Sequence, residues 1–135
     1  MITIGETKGE NRMAVRHVDE IPREVVKAGR NTHRQVLIGP DQAPHFALRR
    51  FIMAPGGGIP AHTNTVEHEQ YVLRGRARIG IGEEVRDVGP GNVLFIPAGV
   101  PHWYEVQGEE PFEFLCIVPN ETDRIEMVGE GGGRI

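Results

Sequence analysis

The chain has one cysteine, Cys116, in 135 residues. That excludes an internal disulfide and makes a reducing, cytoplasmic setting the expectation. It also lacks an excess of basic charge, with 15 Lys and Arg against 19 Asp and Glu. A surface that neutralises nucleic-acid phosphates is therefore not expected. No apolar run approaches the roughly 20 residues of a membrane-spanning helix. The opening MITIGETKGENRM has neither the basic start nor the apolar stretch of a secretory signal. Neither nucleic acid nor membrane is thus an expected partner. Internal repeats are missing, and helical patterning nearly so: only residues 20–28, with Pro22 near a first turn, suggest a helix. The arginines at Arg74, Arg76 and Arg78 alternate with apolar residues and are expected on a solvated sheet face. At this length a single domain, residues 1–135, is the expectation.

What is abundant is punctuation. The sequence contains 18 glycines and 10 prolines, with short β-branched and aromatic runs between them. That rhythm predicts an all-β protein, a sandwich or a barrel. Strands are expected over residues 14–18, 34–38, 45–53, 68–73, 76–81, 85–88, 93–96, 102–106, 112–118 and 124–128. Gly82, Glu83 and Glu84 read as a hairpin turn, and Gly89, Pro90 and Gly91 as a second tight corner. The glycines at 131–133 read as a frayed terminus. Period-two alternation places Phe112, Phe114, Cys116 and Val118 on one face of a strand. The charge of Glu113 marks the opposite face as outward. By the same alternation Tyr104 and Val106 follow His102 inward, while Trp103 points out and suits a subunit interface.

Three histidines sit where turn residues meet short strands: His62 and His68 in HTNTVEHEQYVLRG, and His102 in GNVLFIPAGVPHWY. Imidazole suits iron, manganese, nickel, copper or zinc, and three imidazoles leave coordination positions open for a substrate. His62 and Asn64, two apart, share a face if the segment is extended. The run Ala54, Pro55, Gly56, Gly57 and Gly58 is expected to turn the chain so that His62 enters a barrel mouth. Gly99, Val100 and Pro101 do the same for His102.

These segments resemble the two motifs of the cupins, which are small β-barrels of double-stranded β-helix (jelly-roll) form. Gly56, His62, Asn64, His68 and Gly75 fall on the places of the first motif. Gly91, Pro97, Gly99 and His102 fall on those of the second, where Val106 replaces the usual asparagine. Fifteen residues separate the motifs, a spacing similar to that of compact single-domain cupins. The resemblance covers about residues 46–118. It implies N-terminal strands over 1–45 that pack on the barrel or a partner, and a C-terminal tail over 119–135. Asn64 stands where the second metal histidine usually sits, and His68 where many cupins carry glutamate. A rival register puts Glu69 at the glutamate place; His68 is favoured because it keeps six residues before Gly75.

The resemblance implies one divalent transition metal, manganese or iron first and zinc, nickel or copper as alternatives, held by His62, Asn64, His68 and His102. These four ligands are all neutral, so the ion would keep its full charge and favour an anionic, chelating small molecule. Tyr104 is the candidate to donate a proton or hydrogen bond to such a guest. Phe114 and Cys116 are expected to line the cavity, Cys116 as a small filler. Of the adjacent Arg49 and Arg50, one can point inward to hold a carboxylate, and Arg50 is the candidate. Glu67 and Glu69 flank His68 and can orient imidazoles, while His17, His33 and His45 read as surface. The expected function is that of an enzyme, with dioxygenase, isomerase or decarboxylase chemistry at the metal. A non-catalytic cupin that binds or senses a metal or small ligand is the alternative. A homodimer is expected, with Ile4, Val15, Val36 and Trp103 offering apolar contact.

Overall fold

A computed structural model describes residues 14–129. Ten strands form one curled sheet: β1 (Glu24–Val25), β2 (Arg30–Ile38), β3 (Phe46–Asn64), β4 (His68–Arg74), β5 (Arg76–Ile81), β6 (Glu84–Val88), β7 (Val93–Ile96), β8 (His102–Gln107), β9 (Phe112–Pro119) and β10 (Ile125–Met127). The order along the sheet is β6-β5-β8-β3-β9-β4-β7, with β2 and β10 also on β3 and β1 on β2. The two ends of that path, β6 and β7, line a common groove with Ile79 and Ile81, so the sheet has curled round on itself. This is the all-β architecture that the glycine and proline spacing predicts, in the jelly-roll form that the cupin resemblance implies.

The 19-residue β3 holds the fold together. Its first half pairs antiparallel with β9, from Phe46 opposite Pro119 to Met53 opposite Phe112. Its second half pairs with β8. The chain therefore does not end a strand at residue 53; it bends and continues. Gly56 takes φ +81°, a conformation that L side chains rarely adopt. A Cβ on Gly57 would stand 2.6 Å from the Arg30 carbonyl oxygen, so only glycine lets the backbones cross there.

Alternation is kept on β9: Phe112, Phe114, Cys116 and Val118 are buried, while Ile117 is exposed. Glu113 lies on the outer face, yet it too is buried. Arg50 donates to its Oε1 at 2.7 Å, and Arg74 stands 3.6 Å from Oε2. The core is aromatic at its centre. Phe114 stacks on Phe51 at 5.1 Å and on Tyr104 at 5.3 Å, and Tyr104 meets the edge of His102 at 6.0 Å. Each such pair adds about 0.5–1.5 kcal/mol beyond area burial, so the core and the site share one stack.

Two expected elements are corrected. Residues 14–17 form no strand; a single 3-10 turn, Val18–Glu20, follows them. Residues 20–28 form no helix, because Glu24 and Val25 are drawn into pairing with Arg34 and His33 of β2. Pro22 there precedes an edge strand, where its missing N–H costs nothing. Gly82 and Glu83 make the two-residue hairpin turn, with Ile81 opposite Glu84 and Gly82 at φ +61°. Arg74, Arg76 and Arg78 are exposed, as expected. Trp103 faces outward and packs over its cross-strand partner Gly80. Val15 is exposed, whereas Ile4 and the glycines at 131–133 lie outside the described residues.

Candidate metal centre

His62 and His102 face each other directly in the β3–β8 register. Their rings stand 4.2 Å apart centre to centre, and His68, the first residue of β4, lies 5.7 Å from His102. All three rings are buried and, with Asn64, line a 90 Å³ cavity that Tyr104 and Phe114 also wall. The end of β3 and the starts of β4 and β8 thus deliver their side chains to one chamber.

Hydrogen bonds fix which atoms face that chamber. His62 Nδ1 lies 2.9 Å from the Pro60 carbonyl oxygen, and His102 Nδ1 lies 2.9 Å from that of Val100. A carbonyl oxygen only accepts, so each Nδ1 carries the proton and each Nε2 keeps its lone pair. His68 Nδ1 contacts Cys116 Sγ at 3.4 Å. Asn64 donates from Nδ2 to Asp123 Oδ2 at 2.9 Å, which turns its carbonyl oxygen the other way. The backbone N–H of Thr65 holds the other Asp123 oxygen at 2.9 Å.

Three buried acceptor atoms of the chamber are consequently left without a partner: His68 Nε2, His102 Nε2 and Asn64 Oδ1. All three bear lone pairs, and buried acceptors without a donor are costly, about 1–3 kcal/mol each. Among the described residues no group of three or more His, Cys, Asp or Glu side chains is arranged to hold a metal ion by itself. The fit to a metal therefore rests on these orphaned donors, one of which is a carboxamide. A divalent ion would satisfy two imidazole nitrogens and an amide oxygen at once.

The site is held neutral. Burial, with lesser contributions from Arg49 and the two other rings, pushes the pKa of His68 down to about 3. Burial and His62 push that of His102 down to about 4, against the opposing bond to Val100. His62 is lowered by burial too, opposed by the Pro60 bond and Asp123. Neutral imidazole is the form that ligates. Burial likewise raises the Tyr104 hydroxyl pKa, so it stays protonated. That hydroxyl pairs with the Gln70 carboxamide at 2.8 and 3.1 Å.

Other expected residues fall elsewhere. Arg50 does not reach the cavity: it lies on the outer face of β3, bound to Gln35 at 2.6 Å and to Glu113. Its neighbour Arg49 is the one that lines the chamber. Cys116 sits behind His68 and Gln70 rather than on the cavity wall, and it has polar company. Arg49 donates to its sulfur at 3.3 Å and Gln70 at 3.5 Å. Glu69 is opposite Ile117 and Phe95 on the outer side of β4. Its carboxyl pKa, raised to about 7 chiefly by a hydrogen bond with Glu67, belongs to that exterior pair. Sequence reasoning missed Asp123 and Gln70. Gln70 shares the inward parity of His68 and was open to the same alternation argument. Asp123 comes from beyond the barrel motifs and carries no local signal.

A curled jelly-roll with a histidine-lined chamber defines a class of small barrel proteins, and the comparisons narrow it. Residues 49–118 match the cupin domain family (Cupin_2). The chain belongs to that family. It is 30% identical over 101 residues to the 1-methylthio-D-xylulose 5-phosphate methylsulfurylase of Rhodospirillum rubrum, covering 75% of this chain and 64% of that enzyme. The chain thus spans just under two thirds of this relative's length. Among solved structures it resembles the polyketide cyclase RemF of Streptomyces resistomycificus, with TM-score 0.79 and 32% identity over 87% of this chain and 86% of the other. It also resembles a cupin-2 domain protein of Rhodospirillum rubrum, with TM-score 0.77 and 25% identity over 91% and 84% of the two chains.

Proposed function

We propose that this chain is a metal-dependent cupin enzyme acting on a small, anionic, chelating organic molecule. The observation that carries the reading is the set of orphaned lone pairs on His68, His102 and Asn64, directed into one chamber with His62 beside them. Manganese or iron suits this donor set, and zinc, nickel and copper are the alternatives. Bound there, such an ion would supply Lewis-acid polarisation of a carbonyl and, if redox-active, access to dioxygen chemistry. His62, His68, His102 and Asn64 would hold it. Because none of them carries negative charge, an enolate or carboxylate oxygen would be the preferred guest. Phe51, Ile59 and Phe114 form the apolar part of the chamber wall. Tyr104 remains a hydroxyl at neutral pH, held by Gln70, and would donate to an oxygen in the chamber only by turning its one O–H away from Gln70 Oε1. Two of the similar proteins are named as enzymes, a methylsulfurylase and a cyclase, which supports a catalytic reading without selecting the reaction.

A second reading, a binding or sensing cupin, draws on Asn64, since a neutral carboxamide is a weaker ligand than imidazole. The two separate in one experiment. Protein loaded with manganese or iron is incubated with 2-keto and 2-hydroxy acids while oxygen uptake and product formation are followed. The enzyme reading expects turnover that needs the metal and is abolished in His102→Ala. Tight metal and acid binding with no product favours the sensor, and failure to bind metal removes both.

A further inference from the structure

We infer that Arg49 is the recognition residue for a second negative group on the substrate, a carboxylate or phosphate held at the mouth of the chamber while the chelating end reaches the metal-ligand residues. This rests on the metal-centred reading above and names the kind of molecule it would take. On β3 the side chains of Ala47, Arg49, Phe51 and Met53 alternate inward, and Arg49 lies between Val36 of β2 and Cys116 of β9. Its guanidinium lies over the Phe51 ring at 5.1 Å and donates from Nη2 to Cys116 Sγ. Nε is buried with no partner.

Nor does Arg49 take part in any ion pair among the described residues. Its strand neighbours differ. Arg34 is paired with Glu24 at 2.6 Å and Arg50 with Glu113 at 2.7 Å. A half-buried guanidinium without an anion is the exception on this sheet, and an unmet buried charge is costly to keep. The cavity pattern says where its anion would sit. Arg49, Arg34 and Asp123 line both the 90 Å³ chamber and an adjoining 450 Å³ vestibule. Asp123 is already engaged by Asn64 and Thr65, and Glu121, the other acid of the vestibule, is exposed. The small chamber suits a chelating head, and the vestibule has room for a longer body with a charged tail. Arginine's planar fork matches carboxylate and phosphate oxygens.

The test compares dihydroxyacetone phosphate with dihydroxyacetone, a hydroxy-ketone with and without an anionic tail, by calorimetry on metal-loaded protein. The phosphate should tighten binding by about tenfold to a hundredfold, the range of a charge-assisted contact. In Arg49→Met that advantage should vanish, and Arg49→Lys should keep part of it. Equal affinities in the wild type, or an advantage undiminished in Arg49→Met, would overturn the inference. The wild-type comparison stands even if the variant folds poorly. A parallel arm uses chelator-treated protein with inorganic phosphate and with malonate. Arg49-dependent binding of either supports the inference where metal binding fails, and the tighter of the two identifies the tail. Neither anion binding the chelator-treated wild type would count against it.

Discussion

Acidifying the metal-free protein from pH 7 to pH 5 should destabilise it steeply, and the histidine chamber should be the cause. The pKa values of His68 and His102 are pushed down to about 3 and about 4 in the fold, against about 6.5 in the unfolded chain. Above pH 6.5 both states are neutral and the rings carry no penalty. Below it the unfolded chain takes up protons that the fold refuses, so stability drains away as pH falls toward the folded values. At pH 5 the gap is about 1.5 pH units per ring, or about 2 kcal/mol each, about 4 kcal/mol for the two. His62 acts in the same direction. Against a typical total of about 5–15 kcal/mol that loss is large. Glu69 works in the opposite sense, because its raised pKa of about 7 lets the fold bind a proton first. It lies on the outer face, and solvent screening reduces its effect. Urea unfolding in chelator at the two pH values, for wild type and for a His68→Gln, His102→Gln double variant, isolates the rings. The variant should lose most of the pH dependence whatever its absolute stability. An unchanged pH dependence in the double variant would refute the assignment.

Three further outcomes follow from the packing. Asp123→Ala releases the Asn64 carboxamide and should weaken metal affinity about 10- to 100-fold, as loss of an orienting partner does, measured by competition with a chromogenic chelator. Gly80→Ala would place a methyl on the Trp103 indole, across the β5–β8 pair; chemical denaturation should show a loss of about 1–3 kcal/mol. Arg50→Met strips the short ion pair from buried Glu113 and should cost about 3 kcal/mol, the low end for a broken buried pair because Arg74 remains. In contrast with Arg49→Met, it should leave the phosphate-tail preference untouched.

Much of this was legible in the sequence where one face of a strand is polar. On β9, Glu113 marks the outer side, and the inward set from Phe112 to Val118 follows. On β8, His102 and Tyr104 share a face because Trp103 and Glu105 take the other. The same logic is ambiguous on β3. Ile52 and Met53 are both buried, so apolar residues occupy both faces and alternation alone does not say which of Arg49 and Arg50 turns in. The continuation of β3 through Pro55, Gly56, Gly57 and Gly58 was hidden for a different reason. Glycine and proline signal a turn locally, but here β3 bends at Gly56 and runs on past the backbone crossing at Arg30 and Gly57. The helix expected over residues 20–28 gave way to tertiary pairing with β2, which outweighs local preference. Asp123 was out of reach, since what it does depends on a contact between residues 59 positions apart.

Metal content is the most direct measurement. Elemental analysis of freshly purified wild type, beside His62→Ala, His68→Ala, His102→Ala and Glu69→Ala, reads the chamber one side chain at a time. About one transition-metal ion per chain is expected in the wild type and in Glu69→Ala, with loss in each histidine variant. A metal-free wild type that binds no added manganese or iron, or an ion retained in the histidine variants and lost with Glu69→Ala, would contradict it.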